Sequence, residues 1–203
     1  MEIKLAKPDV TLLFENGLPE DLFKSFSEGL DVEKVTVLVQ SRPPSGPQAC
    51  LEWFMLPLVA TYLSKSLFDS FLGEMGKDLY LVLKRKISDT TTKVMTQPRI
   101  EPVLVGTKGK LSQDNPYSMA CSIYAEASDG NRFKLLLPKP GADVDYNEVV
   151  GVFLDFLSDY HSGVKELDSI GFDVNSKPPS GYMFVRVNTE NKSVEWVELV
   201  RKF

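Results

Sequence analysis

The chain has 203 residues, of which 43% are hydrophobic and 25% are charged, and its net charge is −5. These proportions are those of a folded globular protein, and they exclude a chain that is disordered along most of its length. The acidic balance argues against sequence-independent binding of nucleic acid, because such binding needs a basic surface that neutralises phosphates.

The first 40 residues predict a strand, a helix and a second strand. Residues 10–14 form an apolar run of strand length. Pro19 suits the first position of a helix, and Gly29 suits its end. Residues 35–39 are rich in β-branched side chains and predict the second strand. A strand–helix–strand unit of this length places its two strands parallel.

A long helical region is predicted from about residue 48 to residue 95. Apolar side chains recur at helical spacing over residues 68–87, with charged side chains on the other face. Pro57 and the serines at 64 and 66 predict a break or kink in the first part of this region.

Antiparallel hairpins and one helix are predicted in the second half of the chain. The predicted strands are 103–105, 118–126, 133–137, 182–187 and 194–200. The turn pair Asp129-Gly130 predicts the first hairpin. Asp143 or Asp145 begins a predicted helix with a clean apolar face; Asp145 and Glu148 have the spacing of a capping box, and Gly163 predicts the end of the helix.

Together these patterns predict an α+β fold. Its first part, residues 1–97, is a βαβ unit with a long helical region. Its second part, residues 98–203, consists of antiparallel hairpins and one packed helix. The two parts can also form one compact domain.

The segment around Leu51-Glu52-Trp53, Pro57 and residues 68–80 resembles segments of uncharacterised bacterial proteins. The hairpin at 122–137 and the helix around 153–161 are similar to the same group. The resemblance covers about half of the chain and depends on aromatic and glycine positions. It implies no activity.

Residues that support familiar catalytic chemistry are scarce. His161 is the only histidine, and Cys50 and Cys121 are far apart in the sequence, which excludes a CxxC motif and the usual zinc ligand sets. Cys121 falls on the apolar face of a predicted strand. Asp155 and Asp159 share one helix face, where carboxylates either bind Mg²⁺ or simply meet solvent. No metal or cofactor is predicted.

Arg42, Ser45 and Gln48 form the one candidate ligand site. They lie in a loop that follows a predicted buried strand and precedes a predicted helix, where anions bind in many α/β proteins. The loop also contains three prolines, which leave few backbone N–H donors. A rigid connector is therefore the competing interpretation.

Trp53, Phe54 and Phe71 belong to an aromatic stretch that either contacts a partner protein or packs in the core. The function favoured by these observations is a non-catalytic protein-interaction or regulatory module. The alternative is an enzyme or small-anion-binding protein with its site in the loop 42–48.

A soluble, cytoplasmic protein is expected. The first residues have no basic segment followed by a long apolar one, as a signal peptide would. The longest uncharged apolar run, residues 53–64, is much shorter than the about 20 residues that a membrane-spanning helix needs.

Overall fold

The structure is a computed structural model that describes residues 7–30, 35–45, 54–72, 76–97, 115–141 and 143–198. The strands in this part of the chain are β1 (Val10–Glu15), β2 (Val37–Arg42), β3 (Val59–Leu63), β4 (Tyr117–Glu126), β5 (Arg132–Pro138), β6 (Tyr182–Asn188) and β7 (Ser193–Trp196). The α-helices are α1 (Lys65–Asp69), α2 (Gly76–Thr96) and α3 (Tyr146–His161).

All seven strands join one mixed sheet in the order β2-β1-β3-β4-β5-β6-β7. The pairs β1/β2, β3/β4 and β5/β6 are parallel, and the other neighbouring pairs are antiparallel. The sheet therefore contains strands from both sides of residue 97. The α+β class predicted from the sequence is confirmed.

The two faces of the sheet have different surroundings. Side chains alternate along a strand, so Val10, Leu12 and Phe14 are buried on one face of β1 while the residues between them point the opposite way. The helices pack on the face with Val10, which we call the first face, and share one apolar core with it. On this face the Phe133 ring meets the ring of Phe156 from α3 edge-on, at 5.5 Å. The opposite side is the second face.

The connection between β1 and β2 differs from the predicted helix at residues 19–29. Its described residues at 16–30 form a 3-10 turn at Glu20–Leu22 and further turns. Phe23 and Phe26 are buried in the core, and the Phe23 ring stacks on Phe14 at 4.1 Å. Burial of these two rings outweighs the weak helix propensity of a segment with two serines. The predicted parallel pairing of β1 and β2 is confirmed.

The predicted long helix from residue 48 is wrong at residues 59–63, which form the central strand β3. A short apolar run does not reveal its period, because a buried strand and a buried helix look alike over five residues. Val59 and Thr61 are β-branched and favour the strand. Ser64 then starts α1, since its hydroxyl oxygen accepts a hydrogen bond from the Leu67 N–H at 3.3 Å.

The elements predicted in the second half are largely confirmed. β4 and β5 form the predicted hairpin around Asp129, and β6 and β7 form the second one. Asp145 caps α3, since its carboxylate accepts hydrogen bonds from the N–H groups of Asn147 at 2.9 Å and Glu148 at 3.3 Å. The predicted strand at 103–105 lies outside the described residues. Within the described part of the chain, no helix combines the length and the apolar character needed to cross a membrane.

Replacing Phe133 by alanine tests the contact between the sheet and α3. Phe133 is fully buried and meets the rings of both Phe156 and Tyr160 edge-on. We expect the free energy of unfolding to fall by about 3–5 kcal/mol, measured by urea denaturation, because the variant leaves a cavity in the core. The matched control is Val164→Ala, at a side chain that is 73% exposed. This substitution should change the free energy of unfolding by less than about 0.5 kcal/mol. Similar losses in both variants would contradict the described packing.

Candidate functional site

A row of large side chains crosses the second face of the sheet. Residues paired between neighbouring strands project to the same face, so the register brings side chains from six strands together. The row consists of Leu38, Thr11, Tyr62, Tyr124, Lys134 and Phe184.

Tyr62 and Tyr124 form the centre of this row. Their rings stack with centroids 4.7 Å apart and an angle of 11° between the planes. Burial raises the pKa of both phenols above the ordinary value of 10.0. Both hydroxyls therefore stay protonated at neutral pH, so the pair offers aromatic surface and hydroxyl groups rather than a base.

The tyrosine pair contributes to a cavity of about 350 Å³ on the second face. We call it the tyrosine cavity. Apolar surface from β1 and β2 continues its floor, and three charged side chains stand at its rim. Its lining consists of Lys7, Pro8, Thr11, Leu13, Leu38, Tyr62, Leu63, Ser64, Tyr124, Ala125, Glu126 and Arg132.

Glu126 organises the rim of the tyrosine cavity. One carboxylate oxygen accepts a hydrogen bond from the Lys7 ammonium, and the other accepts one from the Lys65 N–H at 3.1 Å, at the start of α1. Burial raises the pKa of Glu126, but the bonds from Lys7 and Lys65 and the charge of Arg132 outweigh it, so the pKa lies below its ordinary value. Glu126 is therefore ionised at neutral pH, and both of its oxygens already accept hydrogen bonds from within the protein.

Arg132 is the second cation at the rim. It starts β5 directly opposite Glu126, yet it forms no ion pair within the described residues. One of its terminal nitrogens donates to the Tyr182 hydroxyl at 3.4 Å. Glu126 makes its close contacts with Lys7 and Lys65, so it attracts Arg132 only from a longer distance and forms no ion pair with it.

A second, smaller cavity of about 70 Å³ surrounds Lys134 and is called the lysine pocket. Lys134 is only 3% exposed, and its ammonium donates to the Met55 carbonyl at 3.1 Å. The ammonium lies 5.3 Å from the Tyr124 ring centroid and 6.0 Å from that of Phe184. Phe54 packs edge-on against Phe184 at 5.3 Å. A carbonyl and two aromatic faces thus replace part of the water that burial removes from this charge.

At the predicted anion site in the loop 42–48, Arg42 and Ser45 already bond to other groups of the protein. One terminal nitrogen of Arg42 lies 3.0 Å from a Glu15 carboxylate oxygen and donates to the Pro57 carbonyl at 2.7 Å. The other donates to the Ser45 hydroxyl at 2.5 Å, and the Ser45 N–H donates to Glu15. Neither Arg42 nor Ser45 lines the two cavities above. Gln48 lies outside the described residues, and anion binding at this loop stays a prediction.

A double-mutant cycle on Glu15 and Arg42 measures whether these contacts hold the loop in place. We expect a coupling of about 1–3 kcal/mol between Glu15→Gln and Arg42→Met in urea unfolding, because both side chains are largely shielded from water. The control cycle is Asp21→Asn with Lys24→Met, an exposed pair in which we expect a much smaller coupling. Equal couplings would show that Arg42 is not engaged internally.

Phe54 and Phe71, the two predicted interaction residues that the structure describes, are not brought together. Phe54 packs on the second face, against β6. Phe71 is half-buried near the helices, edge-on to Phe68 at 6.0 Å and to Tyr80 at 5.5 Å. These two rings therefore lie on opposite sides of the sheet. Trp53 lies outside the described residues.

Neither Cys121 nor His161 lines either cavity. Cys121 is buried on the first face, and burial raises its pKa to about 12, which suppresses the thiolate. His161 stacks on Phe68 with centroids 4.4 Å apart. Cys50 lies outside the described residues. No group of three or more metal-ligating side chains occurs in the part of the chain that the structure describes.

His161 should make stability depend on pH. Burial lowers its pKa below 6.5, with Lys65 acting in the same direction and Asp69 and Glu126 opposing. The neutral ring therefore stabilises the fold fully above the unfolded-state pKa of about 6.5, and this contribution is lost as the pH falls through the lower folded-state value.

We expect the free energy of unfolding to decrease between about pH 7.5 and about pH 5.5, a window above the titration of ordinary carboxylates. The decrease should be smaller in His161→Phe, because phenylalanine retains the stacking on Phe68 and does not titrate. Urea unfolding at both pH values gives the comparison. If the free energy of unfolding of the variant decreases as much as that of the unmodified protein, His161 is not the cause of the pH dependence.

Sequence reasoning missed the residues of the tyrosine cavity. The predicted helix includes Tyr62, and a helical period does not show the alternation of side chains within β3. The first hairpin contains a usable signal: Tyr124 and Glu126 are two positions apart before the turn, and Arg132 and Lys134 are two positions apart after it. That alternation places polar and aromatic side chains on one face of two adjacent strands.

No protein-family model, no curated protein and no solved structure matches this chain. Its function is therefore inferred from the site alone.

Proposed function

We propose that this chain is a non-catalytic binding module and that the tyrosine cavity is its binding site. The cavity of about 350 Å³ combines an aromatic and apolar floor with three charged side chains at its rim. It also lies on the face of the sheet opposite the described helices. Small-ligand sites in proteins typically have such volumes, with mostly apolar walls and few polar groups.

The same geometry favours binding over catalysis. The pKa values of Tyr62 and Tyr124 are raised by burial, so neither phenol serves as a base near neutral pH. Glu126 is fixed by the Lys7 ammonium and the Lys65 N–H. Within the described part of the chain, no cysteine or histidine lines the cavity. A general base or nucleophile would need a poised and accessible group.

A partner protein is the second candidate ligand, and Leu38 favours it. Leu38 lines the cavity, belongs to the outermost strand β2 and is 38% exposed. An extended segment of a partner lying beside β2 can therefore insert a side chain into the cavity.

We also propose a cytoplasmic location, which the free thiol of Cys121 supports.

Filling the cavity tests this proposal. We expect small aromatic acids, amides and amines to shift the amide NMR signals around Thr11, Leu38 and Tyr124 in the unmodified protein. Thr11→Trp should abolish these shifts, because the indole occupies the cavity. Val174→Trp is the control, at a side chain that is exposed and does not line the cavity.

Peptide selection separates the two kinds of ligand. A displayed random peptide library is selected on the unmodified protein and counter-selected on Thr11→Trp. Enriched peptides would support a partner protein, and fragment binding without enrichment would support a small molecule. If fragments bind equally well to both tryptophan variants, the tyrosine cavity is not the site.

A further inference from the structure

We infer that the tyrosine cavity recognises a ligand with an aromatic or aliphatic body and a single carboxylate, and that Arg132 binds the carboxylate. This inference rests on the proposed function, because it specifies the ligand of the same cavity. It follows from the apolar floor, from the charges at the rim and from the position of Arg132.

The floor of the cavity suits an apolar body. The stacked rings of Tyr62 and Tyr124 present a flat aromatic surface, and Leu13 and Leu38 continue it toward the outermost strand. Aromatic and aliphatic groups gain most from such surfaces because they exclude water from both partners. A ligand without an apolar body would leave this surface hydrated.

The rim carries a net charge of +1, from Lys7, Arg132 and Glu126. Glu126 neutralises Lys7 and also accepts the Lys65 N–H, so both of its oxygens are engaged. The remaining positive charge belongs to Arg132. One carboxylate on the ligand complements it, whereas a cationic ligand is repelled and a neutral one leaves the guanidinium without an ionic partner.

The position of Arg132 suits the recognition of a carboxylate. The backbone at Arg132 is held by pairing with Glu126 on one side and with Tyr182 on the other. The side chain is exposed, and its one hydrogen bond to a described residue is the 3.4 Å bond to the Tyr182 hydroxyl. A guanidinium presents parallel N–H donors that match the two oxygens of a carboxylate.

Two sources can supply this chemistry. One is a free small acid, and the other is the C-terminal carboxylate of a partner chain that ends in an apolar residue. Both place an apolar body beside one carboxylate, so both fit the same site. The experiment includes one arm for each.

The first arm compares 1-naphthylacetate with its neutral analogue 1-naphthylacetamide. We expect the acid to bind the unmodified protein about tenfold or more tightly, measured by NMR titration, because only the acid forms charge-assisted hydrogen bonds with Arg132. Arg132→Gln should remove this preference while leaving the amide's affinity unchanged. The second arm compares acetyl-Ala-Ala-Phe with its C-terminal amide in the same way.

Arg186→Gln is the matched control. Arg186 also projects from the second face, but Glu195 already neutralises it, with N···O distances of 2.8 and 2.9 Å. This variant should keep the preference for the acid. Loss of the preference in both arginine variants would show an effect of overall charge and overturn the assignment to Arg132.

The remaining outcomes separate this inference from the proposed function. Equal binding of acid and amide, with shifts around Thr11 and Tyr124, would overturn the carboxylate inference and leave the cavity as the site. Absence of binding by every probe would overturn the proposed function itself. Tighter binding of the peptide acid than of 1-naphthylacetate would assign the carboxylate to a partner's C-terminus, and the reverse would assign it to a small acid.

Discussion

A sheet has two faces, and in this chain the described helices cover only one of them. On the first face, strands and helices share one apolar core that includes Leu12, Ile123 and Phe153. The second face has to exclude water by other means, because it also carries large apolar side chains. Over β4 to β6 the segment around Phe54 and Met55 does so, through ring contacts and a backbone carbonyl. Over β1 to β3 the described residues leave the tyrosine cavity. The uneven cover of the sheet thus produces the candidate site.

Glu126 connects the fold to that site. Its carboxylate stabilises the start of α1 through the Lys65 N–H, so the first turn of a helix on the first face depends on a residue of the second. The same carboxylate holds Lys7, in the segment that leads into β1. These two contacts use both of its oxygens and leave Arg132 without an ionic partner among the described residues. A structural requirement at the helix start therefore sets the charge that the cavity offers to a ligand.

Local signals in the sequence were sufficient to predict the hairpins and α3, but not to predict the tyrosine cavity. Asp129 and Asp145 act through neighbours within four residues, so the turn and the cap are readable from the sequence. Strand β3 and the 3-10 turn before β2 depend on burial against distant residues, which local propensity does not contain. The cavity is less predictable still. Thr11, Tyr62 and Tyr124 come from three strands, and only the register of the assembled sheet makes them neighbours.

Arg132 and Lys134 show why residue type alone does not identify the binding group. They are two positions apart on β5 and project from the same face, yet their surroundings differ completely. Lys134 is enclosed by Phe184, Tyr124 and the Met55 carbonyl, so its charge is compensated within the fold and its removal would leave a hole. Arg132 stands at the rim of the tyrosine cavity and is exposed, so folding leaves its charge hydrated. A buried cation that is already solvated by the protein stabilises structure, whereas an exposed one beside an apolar floor supplies binding energy. One strand repeat along β5, from Lys134 to Arg132, therefore separates a cation that the fold compensates from the cation that we propose binds the ligand.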